Sequence, residues 1–223
     1  MSIAENILLL KKSIPENVTI VTVSKMQPVS ALIQAYDAGQ RVFGENKAQE
    51  LVVKHSQLPK DIEWHFIGHL QRNKVKFITP FISLIHSIDS IDLLNEVNRE
   101  AFKNNRVVDC LLQFHISREE TKFGLDINGA NEILESEFYQ GMTSIRIVGV
   151  MGMSSFSDDT GIVRSEFKSL YDRFLNLKSC YFRNQDAFKV VSMGMSGDYL
   201  IALEEGSTMV RIGTSIFGER NSQ

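Results

Sequence analysis

Eight short apolar runs of four to nine residues alternate along this chain with segments of helical periodicity, and that alternation is what most restricts its fold. The runs are Thr19–Ser24, Gln40–Phe43, Glu63–Ile67, Leu84–Ser87, Val108–Ile116, Ile145–Met151, Lys189–Met193 and Met209–Ile212. They are rich in Val, Ile and Phe, and several lack a clean in–out alternation. Strands covered on both faces read this way. Helical patterns occupy Val29–Ala38, Lys47–His55, Asn73–Ile78, Asp89–Asn104, Asn128–Glu137, Gly161–Leu177 and Asp198–Glu205. Pro28 opens the first of these and Gly39 stops it, the positions their backbones favour. A further amphipathic segment, Ile3–Lys12, precedes the first run and supplies the helix that closes the ring. Regular β/α alternation implies parallel strands joined by crossover helices. Eight units in 223 residues predict an α/β fold, a single (β/α)8 barrel of the TIM type with an extra N-terminal helix. A doubly wound open sheet satisfies the same alternation. No Pro/Gly/Ser-rich linker interrupts the chain, so residues 1–223 read as one domain.

Composition mainly excludes. With 43% hydrophobic and 23% charged residues the chain is ordinarily globular. A net charge of −3 gives no basic footprint for nucleic acid. Cys110 and Cys180 sit in unrelated contexts, imply no disulfide framework and fit a reducing compartment. No window approaches the roughly 18 uninterrupted apolar residues of a membrane span. The N-terminus has no basic region ahead of its apolar residues, unlike a signal peptide. The expectation is a cytoplasmic protein without membrane or nucleic-acid partners.

Ligands of parallel barrels bind at the carboxyl ends of the strands. The first run ends in Ser24-Lys25, the second in Phe43 to Asn46, the seventh in Met193 to Asp198 and the eighth in Arg211 to Thr214. Lys25 either begins a solvated loop or serves as a desolvated amine, which is nucleophilic at neutral pH. Gly194, Gly197 and Gly213 let backbone N–H groups approach a ligand, and Ser196 and Thr214 add hydroxyls. Asp198 is placed to cap the short helix after it. The loops after strands seven and eight are the usual phosphate site of such barrels. Arg211, inside the eighth run, needs an acceptor there: a structural carboxylate or a heteroaromatic ring nitrogen. A Schiff-base lysine, a phosphate cup and a ring-nitrogen partner together describe a site for pyridoxal 5′-phosphate (PLP).

Seven segments carry a family resemblance: Val23–Lys25 with Pro28, Phe43–Asn46, Trp64–Gly68 with Leu70, Gln71, Asn73 and Lys74, His86–Asp89, Lys122–Gly124, Ser192–Ser196 and Gly206–Thr214. In these the chain resembles the pyridoxal phosphate homeostasis proteins, which are related to the N-terminal domain of alanine racemase. The resemblance implies that Lys25 carries PLP as a Schiff base and that Ser196, Gly213 and Thr214 bind its phosphate. It also implies that Arg211 faces the pyridine nitrogen and that Asn46 lies at the cofactor. His115 stands where members of the family commonly carry Asn.

An arginine only donates hydrogen bonds, so it leaves the ring nitrogen unprotonated and the ring a poor electron sink. Racemisation needs an acid/base on each face of the substrate, and only Lys25 is recognisable. Alanine racemase takes its second group from a further domain, and nothing after the eighth run here resembles one. The expected function is therefore PLP binding in intracellular vitamin B6 homeostasis, without catalysis, in a monomer whose candidate recipients are PLP-dependent apoenzymes. A weak PLP-dependent amino-acid racemase is the alternative. A Schiff-base aldolase acting on a sugar phosphate is the remaining class. His65 and His69, four residues apart, lack the companion glutamate of a zinc helix and are not assigned to a metal. Met151, Met153, Met193 and Met195 are expected to pack together around a ring.

Overall fold

The computed structural model describes residues 1–118 and 123–219. Lys122, from one of the family segments, lies outside them. Eight parallel strands close into a barrel in chain order: β1 (Thr19–Val23), β2 (Val42–Glu45), β3 (Glu63–Phe66), β4 (Leu84–Ile88), β5 (Val108–Phe114), β6 (Ile145–Gly152), β7 (Val190–Met195) and β8 (Met209–Ile212). The open-sheet alternative is thereby removed, since β8 pairs with β1 in the register Val21↔Arg211. The helices are α1 (Ile3–Ser13), α2 (Val29–Asp37), α3 (Ala48–Gln57), α4 (Arg72–Ile78), α5 (Ile91–Lys103), α6 (Ile127–Glu135), α7 (Glu137–Gln140), α8 (Thr160–Cys180), α9 (Tyr199–Glu204) and α10 (Thr214–Phe217). The extra helix α1 is capped by Ser2 and Glu5 in a reciprocal capping box. It packs against α2 and α10.

Strand alternation separates two cores. Side chains pointing outward, such as Phe43, Trp64 and Phe66, pack under the helices. Val21, Leu84, Leu111, Val148, Met151 and Met209 fill the barrel interior. The four methionines accordingly do not gather. Met151 is interior with Met153 against it, Met193 belongs to the outer core, and Met195 is exposed. Met151 and Met193 point to opposite faces of the barrel wall, and the register shift between Ser192 and Met195 parts Met195 from Met193.

β2 begins and ends two residues later than its apolar run. Gly39, at φ +88°, ends α2 in the left-handed region, and the Gln40 N–H is spent on the Ala35 carbonyl. Pairing continues instead to Glu45, whose carbonyl accepts the Ile67 N–H at 2.9 Å. That shift puts a carboxylate, Glu45, at the carboxyl end of β2. Among the described residues no helix is long and apolar enough to cross a membrane.

Candidate functional site

β1 leaves the barrel in a hydrogen-bonded turn. The Gln27 N–H donates to the Ser24 carbonyl at 3.0 Å, making Lys25 and Met26 the two central residues. Met26 has φ +63°. A residue with a Cβ enters that region at about 1–2 kcal/mol, so its surroundings must hold it there.

They do so with charge. Lys54, on α3, donates at 2.6 Å to Glu45 Oε1, at 2.7 Å to Glu50 Oε1 and at 2.7 Å to the Ser24 carbonyl. The Ser24 hydroxyl donates to Glu45 Oε1 at 2.7 Å, and the Met26 N–H donates to Glu50 Oε1 at 2.7 Å. Both peptide groups flanking Lys25 are therefore clamped, one by Lys54 and the other by Glu50. Lys25 itself is half-buried between them. Glu45 is buried, and burial pushes its carboxyl up against the opposing pull of Lys54 and Ser24.

The ends of β7 and β8 meet beside this turn. The Gly213 backbone lies against Val23 of β1. Ser196 Oγ accepts the N–H groups of Gly213 and Ser215, each at 3.3 Å. These bonds are long. The hydroxyl sits where a single anionic oxygen would collect both donors. Gly197 beside it has open space where a Cβ would be, and Thr214 is exposed at the start of α10. Gly194, at φ +93°, lets β7 bulge toward this place; a Cβ there would lie 2.6 Å from Ala202 Cβ. Asp198 does not cap α9 with its side chain as its position suggested. Its carboxylate is taken by the Met195 N–H at 2.6 Å and the Ser154 hydroxyl at 2.8 Å, tying the loop after β7 to the loop after β6.

Arg211 is 4% exposed, and among the described residues no carboxylate forms an ion pair with it. Its Nη1 donates to the Ser192 carbonyl at 2.9 Å and the Ser192 hydroxyl at 2.7 Å, and its Nη2 to the Gly152 carbonyl at 3.0 Å. Among the described residues those three bonds leave two of a guanidinium's five N–H groups without an acceptor. Burial pushes its pKa down to about 10, so it stays charged at neutral pH. Asn46, just past β2, keeps a buried Oδ1 that has no partner among the described residues. Such an acceptor is costly unless a ligand donor meets it.

The six residues singled out in the sequence thus lie at the carboxyl ends of β7, β8, β1 and β2, neighbours around the closed ring. Sequence reasoning missed the clamp, the Ser215 N–H and Ser192. The signal for Lys54 is its place on the apolar stripe of α3 with Ala48 and Leu51. His65 and His69 part company: His65 bonds to His86 inside the barrel, while His69 stacks on Phe123 at the rim.

A family model described as alanine racemase, N-terminal domain, matches residues 1–221. The pyridoxal phosphate homeostasis protein of Aquifex aeolicus is 39% identical over 198 residues, covering 88% of this chain and 85% of that protein. The structure of PipY from Synechococcus elongatus, solved without PLP and with PLP bound, matches with TM-scores of 0.91 and 0.87 at 32% and 31% identity. In both cases it covers 97% of this chain and 100% of PipY. Alanine racemase from E. faecalis shares the fold, with a TM-score of 0.73 at 16% identity, over 99% of this chain and 58% of its own.

Proposed function

The chain belongs to the pyridoxal phosphate homeostasis proteins of the alanine racemase N-terminal-domain family, and from that membership we propose that it holds PLP on Lys25 as a cofactor carrier rather than a catalyst. The observation that carries this reading is the convergence of four adjacent strand ends on an amine, two N–H groups bridged by a hydroxyl, and a guanidinium with unspent donors.

The residues fit the cofactor. Bound PLP supplies an aldehyde that condenses with amines and a ring that draws electrons from the attached carbon. Lys25 would offer the amine, its Nζ joining the aldehyde carbon with loss of water. Ser196, Gly213 and Thr214 offer donors for the phosphate, and the unpartnered Asn46 oxygen faces a need that a ligand donor meets. Arg211 would donate to the ring nitrogen without protonating it, which would leave the ring a weak electron sink and disfavour transamination; the case against racemisation is the missing second acid/base. PLP-dependent apoenzymes remain the proposed recipients, a monomer the proposed state and the cytoplasm the proposed location.

Titrating the purified protein with PLP is expected to give one visible absorption band that saturates at a single equivalent. Alanine enantiomers should interconvert no faster with the loaded protein than with free PLP. No band, or fast interconversion, would sink the proposal. Ser196→Ala removes the hydroxyl that bridges the two loops. It should speed PLP dissociation about tenfold. The thermal midpoint should barely move, because Ser196 is only half-buried. An unchanged dissociation rate would mean that the cup is misplaced.

A further inference from the structure

A polar column runs through the barrel interior. Arg211 Nη1 meets the Ser192 hydroxyl at 2.7 Å, that hydroxyl meets His86 Nδ1 at 3.1 Å, and His86 Nε2 meets His65 Nδ1 at 3.1 Å. Ser192 and His86 are fully buried and His65 nearly so. At its far end His65 lines a hollow of about 380 Å³ among Thr19, Glu63, Asp109, Arg146 and Lys189, at the amino ends of the strands.

The direction of every bond in the column follows from its first member. A guanidinium only donates, so the Ser192 oxygen accepts from Arg211. The Ser192 hydroxyl hydrogen must then be placed. Among the described residues its one acceptor is His86 Nδ1, and any other orientation buries an unpaired O–H. His86 Nδ1 is therefore an acceptor, its hydrogen sits on Nε2, and it donates to His65 Nδ1. The hydrogen of His65 is then on Nε2 as well, on the side of the lower hollow. Burial and the nearby Arg211 charge hold His86 well below the ordinary histidine range, and burial takes His65 down to about 3. Both rings are thus neutral across the physiological range.

We propose that His86 is a positioning residue for Arg211: acting through Ser192, with His65 fixing its tautomer, it holds the guanidinium plane so that the two unspent N–H groups stay aimed at the ligand. This rests on the PLP reading only for the identity of that ligand. Leu in place of His86 would drop the acceptor for the Ser192 hydroxyl, which would turn back on Arg211 or go unpaired. Gln would restore both an acceptor toward Ser192 and a donor toward His65.

Two measurements test it. Nitrogen NMR of the apoprotein should show His86 and His65 as neutral Nε2–H tautomers at about pH 7, with His86 losing its single tautomer in Ser192→Ala. In the loaded protein, His86→Leu and Ser192→Ala should each release PLP about tenfold faster than wild type, and His86→Gln should recover most of that loss. An Nδ1–H or charged His86 in the apoprotein would overturn the proposal. So would a Gln variant no better than the Leu variant, which would reduce His86 to packing. Failure of the wild-type protein to take up PLP would overturn the cofactor reading alone, because the tautomer pattern is read without ligand.

Discussion

Lys25→Ala should abolish the attachment of PLP that borohydride makes permanent, and weaken retention of the cofactor at least about a hundredfold, since a preplaced amine is worth a large effective concentration. The visible band should vanish, and mass analysis of the reduced wild-type protein should find the added phosphopyridoxyl group on the peptide containing Lys25. The protein should still fold. Lys25 is half-buried in a turn whose flanking peptides are held by other residues, so its truncation should cost only about 0.5 kcal/mol. Lys25→Arg sharpens the result, because it keeps the positive charge and offers no amine that condenses. If the arginine variant lost the band while the alanine variant kept it, the band would belong to another lysine. A band that survives in both would remove Lys25 from the site.

The barrel was legible because its signal is repeated. Each strand run is short and ambiguous, yet eight of them alternating with helices leave few topologies. The ends were less legible where local hydrogen bonding competes with pairing. Gln40 reads as strand but closes α2, and Glu45 reads as loop but pairs with β3. The short helices α7 and α10, four residues each, carry too little periodicity to be seen. At the site, residues standing out against an apolar background were visible: Lys25 and Arg211 are costly where they lie, and glycines with hydroxyls mark the cup. Asn46 was seen through the motif that contains it.

What the sequence hid has a common cause. Glu45, Glu50 and Lys54 come from a strand end and a helix, and each reads alone as ordinary surface charge. Only the meeting of β2 and α3 at the Ser24 carbonyl makes them one device. The polar column is similar. Ser192, His86 and His65 lie in three different strands, and no local spacing links them. A period-two reading of each strand would have placed His65 and His86 on inward positions, but not against each other.

Breaking the clamp at its cation should give the largest loss of stability. In Lys54→Met the side chain keeps an unbranched apolar stem, while Glu45 stays buried with its charge uncompensated. Removing one partner of a buried ion pair costs about 3–5 kcal/mol, a large share of a domain's typical 5–15. The loss should depend on pH in a defined sense. Burial already raises the Glu45 carboxyl in the wild-type protein, and without Lys54 the largest opposing pull is gone. A carboxyl with a folded-state pKa above its unfolded value binds more protons when folded, so stability falls as pH rises through that window. The deficit of Lys54→Met should therefore shrink as the pH is lowered from about 8 to about 5.5 in denaturant titrations. A deficit that stays constant or grows on acidification would show that Glu45 is not the group left uncompensated. Adding Glu45→Leu should restore much of the stability, as replacing a whole buried pair with apolar residues commonly does. It should not restore the turn, because the Ser24 carbonyl still lacks its Lys54 donor and the Ser24 hydroxyl has lost its carboxylate. Stability and cofactor retention should thus separate in the double variant, which would fold nearly as well as wild type and still lose PLP faster. Full recovery of both would mean that the clamp serves the fold alone and that Lys25 needs no help to stand where it does.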